Sequence, residues 1–396
     1  MKRTSFLCAK ALLPALLVAL CAHGAIKHKF VAIDEGLGNL LYVNDNDSTA
    51  NWIVPIGKSA PRDMQLVGNN RILIGHTNGY TEFDLATGAV KRSVLTYDSV
   101  SSVRRLANGQ TIMVGVDLAG SKGVVMVKLD SNNIQIKKTV FPGTYVRLAR
   151  QTNTNTFLFA CNDTIKEADT NGTFIWKSYI TDGIYPTNKH MWKAVRLDNG
   201  NILLSGGYGA FMAEVNSQGA IVRKFGAAPQ PAGVKPYFYG MFQLLTNGDC
   251  VVANWQGHGA GHDTAGKVLE LLEFDPAGAI VWSWNKAALI SSLQGVLVLD
   301  SLNTSLIYDD RNGIMSPINP PTSVEYHSPR GFSKDGKALN DYPSRSSGAY
   351  RIFDLRGRSV HDSRPNATSG SHQDFASGVY VRRTRNNDQT LGLNRQ

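Results

Sequence analysis

The stretch Asn254-Trp255-Gln256-Gly257-His258-Gly259-Ala260-Gly261-His262-Asp263 sets two imidazoles, a carboxylate and a large aromatic among glycines. Glycine lets a backbone approach a ligand closely, and loops are where binding groups gather. His258 and His262 are therefore candidates for a base or nucleophile near neutral pH. Their spacing falls in a loop and supplies no third ligand, so no metal site is read here. Upstream, His190 stands beside Met191 and Trp192, and Tyr208 occupies the turn Gly206-Gly207-Tyr208-Gly209. Tyr237, Phe238, Tyr239 and Phe242 form a further aromatic group. Aromatic faces of this kind stack on sugar rings and other planar ligands, or else pack in a core. Arg62, Arg104, Arg147 and Lys193 recur at similar places in the pattern described next. A ring of such cations holds a sulfate, phosphate or carboxylate, or pairs with Asp and Glu of neighbouring elements. The candidate ligand set is Trp255, His258, His262, Asp263, Arg147, Trp192, Tyr208 and Tyr239. If a reaction is catalysed, its candidate residues are His258, His262 and His190.

The elements that must carry these residues repeat. An apolar residue, a polar turn and a short β-prone run recur at Leu66–Ile74, Leu106–Val114, Leu197–Leu204 and Leu245–Ala253, with a degraded copy over Leu148–Phe159. Three of the turns are Asn-Gly, the strongest short hairpin signal. A second hairpin follows each, turning at Asp84, Asp130, Asp169, Asn216 and Asp275, whose side chains are placed to start the turn. Four antiparallel strands per unit, repeated without helices, predict propeller blades. Five full units lie between about 61 and 285. Strands before and after them, Val31–Asp34, Asn39–Val43, Gly295–Leu299 and Ser305–Tyr308, make a sixth by joining the two ends, which hides both sheet edges. The fold class is therefore all-β, a six-bladed β-propeller of four-stranded antiparallel blades plus a small C-terminal β appendage. Seven blades is the alternative, if the first stretch is complete alone.

With 42% apolar and 18% charged residues, the 396-residue chain is neither wholly disordered nor a charged helical rod. Lys2, Arg3 and Lys10, the apolar run 11–20 and Ala22-His23-Gly24 read as a signal peptide over 1–24, too short for a membrane anchor. No later run approaches a membrane span. The net charge of +10 is uneven, with the surplus in the signal and after residue 330. The near-neutral body argues against nucleic acid as partner. Without the signal, Cys161 and Cys250 are the remaining thiols. They read as buried thiols in separate strands, although export would permit a disulfide.

From about 28 to 308 the chain resembles secreted bacterial propellers of the PQQ-like, or quinoprotein-like, repeat superfamily. Pro61–Leu66 with Tyr80–Gly88 looks like that group's opening blades. Val268–Trp284 looks like its last blade, shared with arylsulfotransferase propellers. These motifs describe blades and say little of function. The adjacent cysteines of a quinone-dependent member are absent, so no cofactor is expected. The arylsulfotransferase histidine before the Leu-x-Asn-Gly strand is not matched either: Trp192 stands there and His190 lies two residues early. Tyr350–Val360 and Ala376–Arg383 resemble the C-terminal sorting domain of type IX secretion substrates (T9SS).

The expected organisation is a signal peptide over 1–24, a β-propeller over 25–310, a linker over 311–348, a sorting-domain-like β segment over 349–383 and a polar tail over 384–396. The expected function is an exported binding or scaffold protein, secreted or at the cell surface. It would be monomeric and bind an extracellular polymer, glycan or protein partner through channel-mouth loops, with the C-terminal segment read by secretion machinery. The alternative is a propeller enzyme, a lyase or transferase acting on a glycan or aryl ester through the loop histidines.

Overall fold

The computed structural model describes residues 25–180, 190–231, 233–258 and 268–318, together with four strands near the C-terminus. Residues 1–24, His262 and Asp263 lie outside the described residues. The chain divides into two units, 1–324 and 325–396.

Unit one contains six four-stranded antiparallel sheets. The second blade runs through Asp63–Leu66, Arg71–His76, Gly79–Asp84 and Val90–Val94. The third runs through Val100–Arg105, Thr111–Val116, Val124–Leu129 and Gln135–Phe141. The fourth comprises Ala149–Gln151, Phe157–Ala160, Thr164–Ala168 and Phe174–Tyr179. The fifth comprises Ala194–Arg196, Ile202–Ser205, Met212–Val215 and Ile221–Phe225. The sixth comprises Phe238–Leu244, Cys250–Trp255, Leu271–Phe274 and Ile280–Trp284. Within each, the first strand is innermost and nearly all buried, while the fourth alternates toward solvent, as Phe174–Tyr179 does. The first blade closes the ring. Leu293–Val298 supplies its inner strand and pairs with Lys29–Asp34, followed by Asn39–Asn44 and Trp52–Pro55. Among the described residues the ring has six blades.

The turn chemistry is local. The carboxylates of Asp84, Asp130 and Asp169 and the amide oxygen of Asn216 each accept a backbone N–H two residues on. Gly219 shows why the last turn position is glycine. It has φ +81°, and a Cβ there would fall 1.8 Å from Ser178 Oγ of the preceding blade. A bulge recurs in the third strand just before these turns, at Glu82/Phe83, Lys128/Leu129, Glu167/Ala168, Glu214/Val215 and Glu273/Phe274. Bulges raise local twist, which a blade of a propeller needs.

Some of these glutamates bind the next blade. Glu82 pairs with Arg105 at 2.7 Å, and Glu167 pairs with Arg196. Glu273 meets His28, just before the first blade, at 2.8 Å. Apolar clusters fill the gaps between sheets, such as Val195, Phe242, Val252 and Leu272 between blades five and six. Cys161 and Cys250 are buried free thiols.

The ring unit extends beyond 310. After the inner strand of the first blade, the chain turns back, and Tyr308–Asp309 pairs with Ser316–Pro317. The same segment bridges to Val67 through Ile307 and to Leu244 through Ile314. Unit two is a four-stranded sheet in the order Ser359–Asp362, Arg351–Asp354, Gly378–Thr384, Asn387–Leu393. The stretch read as a polar tail thus contributes a strand, paired along its length with Gly378–Thr384.

Candidate functional site

Successive residues of an extended strand point in opposite directions, and this divides the predicted cations into two groups. Arg62, just before the inner strand of the second blade, is half-buried, whereas its neighbour Asp63 and, before the fifth blade, Lys193 are fully buried. Asp63 is fully buried and pairs with Arg150 at 2.9 Å and Arg104 at 3.2 Å. Lys193 pairs with Asp310 at 2.5 Å. Arg104 and Lys193 therefore belong to a closed internal network, and Arg150 joins it. Burial pushes the Lys193 ammonium down to about 8, with Asp310 opposing the shift.

Arg62 and Arg147 have no ion pair among the described residues. Burial lowers Arg62 to about 10, and the nearby Arg147 charge adds to this. Burial lowers Arg147 as well. The Arg147 guanidinium lies 4.4 Å from the centre of the Tyr145 ring and 5.4 Å from that of Trp192. Arg147 Nε and Trp192 Nε1 are buried without a hydrogen-bond partner. Two like charges held in a partly desolvated place, next to unsatisfied donors, favour an incoming anion.

The aromatic wall is continuous. Tyr145 contacts His190 at 5.1 Å between ring centres, and His190 contacts Tyr208 at 5.5 Å. Tyr208 in turn meets Phe238 at 4.7 Å, Tyr237 at 5.9 Å and Trp255 at 6.3 Å. Trp255 carries His258 edge-on at 4.7 Å. Glu35, from the loop after the second strand of the first blade, accepts from Trp255 Nε1 at 3.2 Å and lies 3.0 Å from His258 Nδ1. His190 has φ +53°, a left-handed backbone rare outside glycine, of the kind that concentrates at functional sites.

Arg147, Tyr208, His258 and His190 thus come to one mouth, while Trp192 and Trp255, each 2% exposed, lie buried in the core cluster that Tyr208 packs against. The histidines do not converge, since Tyr208 and Trp255 stand between His190 and His258, and His258 is 75% exposed. His262 and Asp263 lie outside the described residues. Tyr239 is a correction to the ligand set. It is fully buried, and its hydroxyl donates to Gly226 O at 2.7 Å, because strand alternation turns Phe238 to the mouth and Tyr239 into the gap between blades. Tyr145 and Glu35 were not singled out by the sequence. Tyr145 lies two residues before Arg147, so the position of the cation was the available signal.

The returning segment places Asp310 against Arg104, Arg150 and Lys193 of three blades. A separate cavity of about 320 Å³ opens beside it, lined by Ile26, His28, Leu244, Asp300, Ile314 and Met315 among others. Among the described residues, no helix is long and apolar enough to cross a membrane.

No family model matches the chain, and no curated protein matches it. Solved structures do resemble it. A protein of unknown function from Bacteroides caccae has a TM-score of 0.57 at 17% identity, over 70% of this chain and 100% of that one. A catalytically inactive virginiamycin B lyase from Staphylococcus aureus, solved with quinupristin, has a TM-score of 0.43 at 10% identity, over 72% and 87%. The WD40 propeller domain of Doa1 has a TM-score of 0.45 at 14% identity, over 74% and 87%. The likeness to the Bacteroides caccae protein is one of fold alone, and that fold is the β-propeller.

Proposed function

We propose that this is an exported β-propeller that binds an anionic, ring-bearing ligand outside the cell, an acidic glycan being the class that fits. The ligand enters at the mouth formed by Arg62, Arg147, Tyr145, His190 and Tyr208. One observation carries the reading: Arg62 and Arg147 are partly desolvated cations without a carboxylate partner among the described residues. The aromatic wall beside them offers faces for sugar rings. Export, and retention in the medium or at the cell surface, rest on the signal-like residues 1–24 and on the sorting-like strands after 350, which secretion machinery would read. The test is a glycan array probed with the chain lacking residues 1–24. Binding confined to carboxylated or sulfated glycans, and lost in Arg62→Ala/Arg147→Ala, supports the proposal. Equal binding to neutral glycans, or none to any glycan, refutes it.

A further inference from the structure

We propose that the mouth is also an active site, one that cleaves a polyuronate by β-elimination, with Arg62 and Arg147 holding the uronate carboxylate, His190 removing the α-proton and Tyr145 protonating the departing oxygen. This rests on the anion-binding reading above and adds chemistry to it.

The arrangement is specific. The Tyr145 ring centre lies 4.4 Å from the Arg147 guanidinium and 5.1 Å from the centre of the His190 ring. A carboxylate bound to Arg62 and Arg147 therefore brings its α-carbon toward the phenol and the imidazole. No described residue hydrogen-bonds the His190 ring nitrogens; His190 donates its backbone N–H to Asn162 Oδ1 at 3.3 Å. Burial and the Arg147 charge, opposed by Asp163, keep His190 below the ordinary histidine value, so it is neutral and able to accept a proton at neutral pH. Burial raises Tyr145 to about 12, so its proton is in place to be given.

Each element answers a requirement of the reaction. The proton next to a carboxylate is hard to remove because charge builds on the carboxyl oxygens. Two preorganised guanidiniums stabilise that charge where it develops. His190 takes the proton, and the C–H electron pair becomes the new C=C bond. The bond from the β-carbon to the glycosidic oxygen breaks, its electrons leave with that oxygen, and the oxygen takes the Tyr145 proton. His190 ends as imidazolium and Tyr145 as phenolate, and a proton passed between them restores both. The step consumes no water and needs no oxidant.

The experiment uses the chain lacking residues 1–24 with polygalacturonate, alginate and hyaluronate as probes. It follows binding by calorimetry and elimination by the ultraviolet absorbance of the conjugated product. The expected result is product from at least one polyuronate. His190→Asn and Tyr145→Phe should each lose about a hundredfold or more in rate while keeping affinity within a few-fold. Asparagine is chosen because it tolerates the left-handed backbone at position 190. Arg147→Ala should lose both binding and product. Binding by the parent chain without product overturns elimination and leaves the binding proposal standing. No binding of any anionic glycan overturns both. Undiminished turnover in His190→Asn overturns the assignment of the base.

Discussion

Lys193 leaves the inner strand of the fifth blade and meets Asp310 at 2.5 Å, on a segment that has already passed the last strand of the ring. Arg150 of the fourth blade reaches the same carboxylate at 3.2 Å, and Arg104 of the third approaches to 3.9 Å. Burial alone would raise the Asp310 carboxyl. The three cations outweigh it and hold the group far below the usual carboxylate range. Asp310 is thus a second closure of the ring, independent of the shared first blade. Asp310→Asn leaves Arg104 and Arg150 with Asp63 and leaves Lys193 without an ion pair among the described residues, and is expected to cost about 3–5 kcal/mol in urea unfolding. Adding Lys193→Met should recover part of the loss. An unchanged midpoint in Asp310→Asn would contradict the closure.

Arg62 and Arg147 predict the opposite balance between stability and binding. Each is a half-buried cation without an ion pair among the described residues, with Glu35 acting on Arg62 only from a distance, so Arg62→Ala and Arg147→Ala should leave unfolding unchanged or slightly raised. Each should weaken an anionic ligand by about 1.5–3 kcal/mol, on the order of ten- to a hundredfold in Kd. Titration of the ligand found on the array checks the second effect and urea melts the first. A large loss of stability with no loss of affinity would place these residues in the scaffold.

The ring was readable because its signals are local. Asn108-Gly109 and Asn199-Gly200 make hairpins, and Asp130 or Asp169 starts a turn, through atoms a few residues apart. The mouth was partly readable, since Arg147 and Tyr208 are conspicuous residue types at blade entrances. The division of the cations was not, because it depends on which of two neighbours, such as Arg62 and Asp63, is fully buried. Glu35 and His258 are 223 residues apart, and only closure of the ring brings them together. Asp310 lay at the edge of a stretch whose composition reads as linker, and its role appears once three blades surround it.

His28 gives a pH prediction. Burial pushes its ring toward neutrality, but hydrogen bonds to Asp300 at 2.5 Å and Glu273 at 2.8 Å outweigh this and raise it to about 9. The folded value lies above the ordinary 6.5, so folding favours the protonated ring. Its contribution, a few kcal/mol at most, is complete below about pH 6.5 and fades as pH rises through about 9. The ring ties the strand that completes the first blade to the sixth blade. His28→Gln should therefore be destabilised at pH 6 and should lose most of the decline between pH 6.5 and 9. Parallel declines in both proteins would assign that pH dependence to other groups.

The two units should also separate in the laboratory. Residues 325–396 form a sheet of their own, and the ring closes through strands that all lie before residue 300. The returning segment that carries Asp310 ends its described course at 318 and would be kept in a chain cut after 324. Removing 325–396 therefore takes away no ring strand and none of the internal ion pairs centred on Asp63 and Asp310. The truncated chain is expected to melt in a single cooperative transition at the temperature of the ring in the full chain, and to keep ligand binding at the mouth. In the producing cell it should fail to reach the medium or surface, because the sorting-like strands are gone. Cell fractionation checks the destination and calorimetry the fold. Loss of cooperative melting would mean that the second unit supports the ring, and normal delivery of the truncated chain would mean that its strands are not the address.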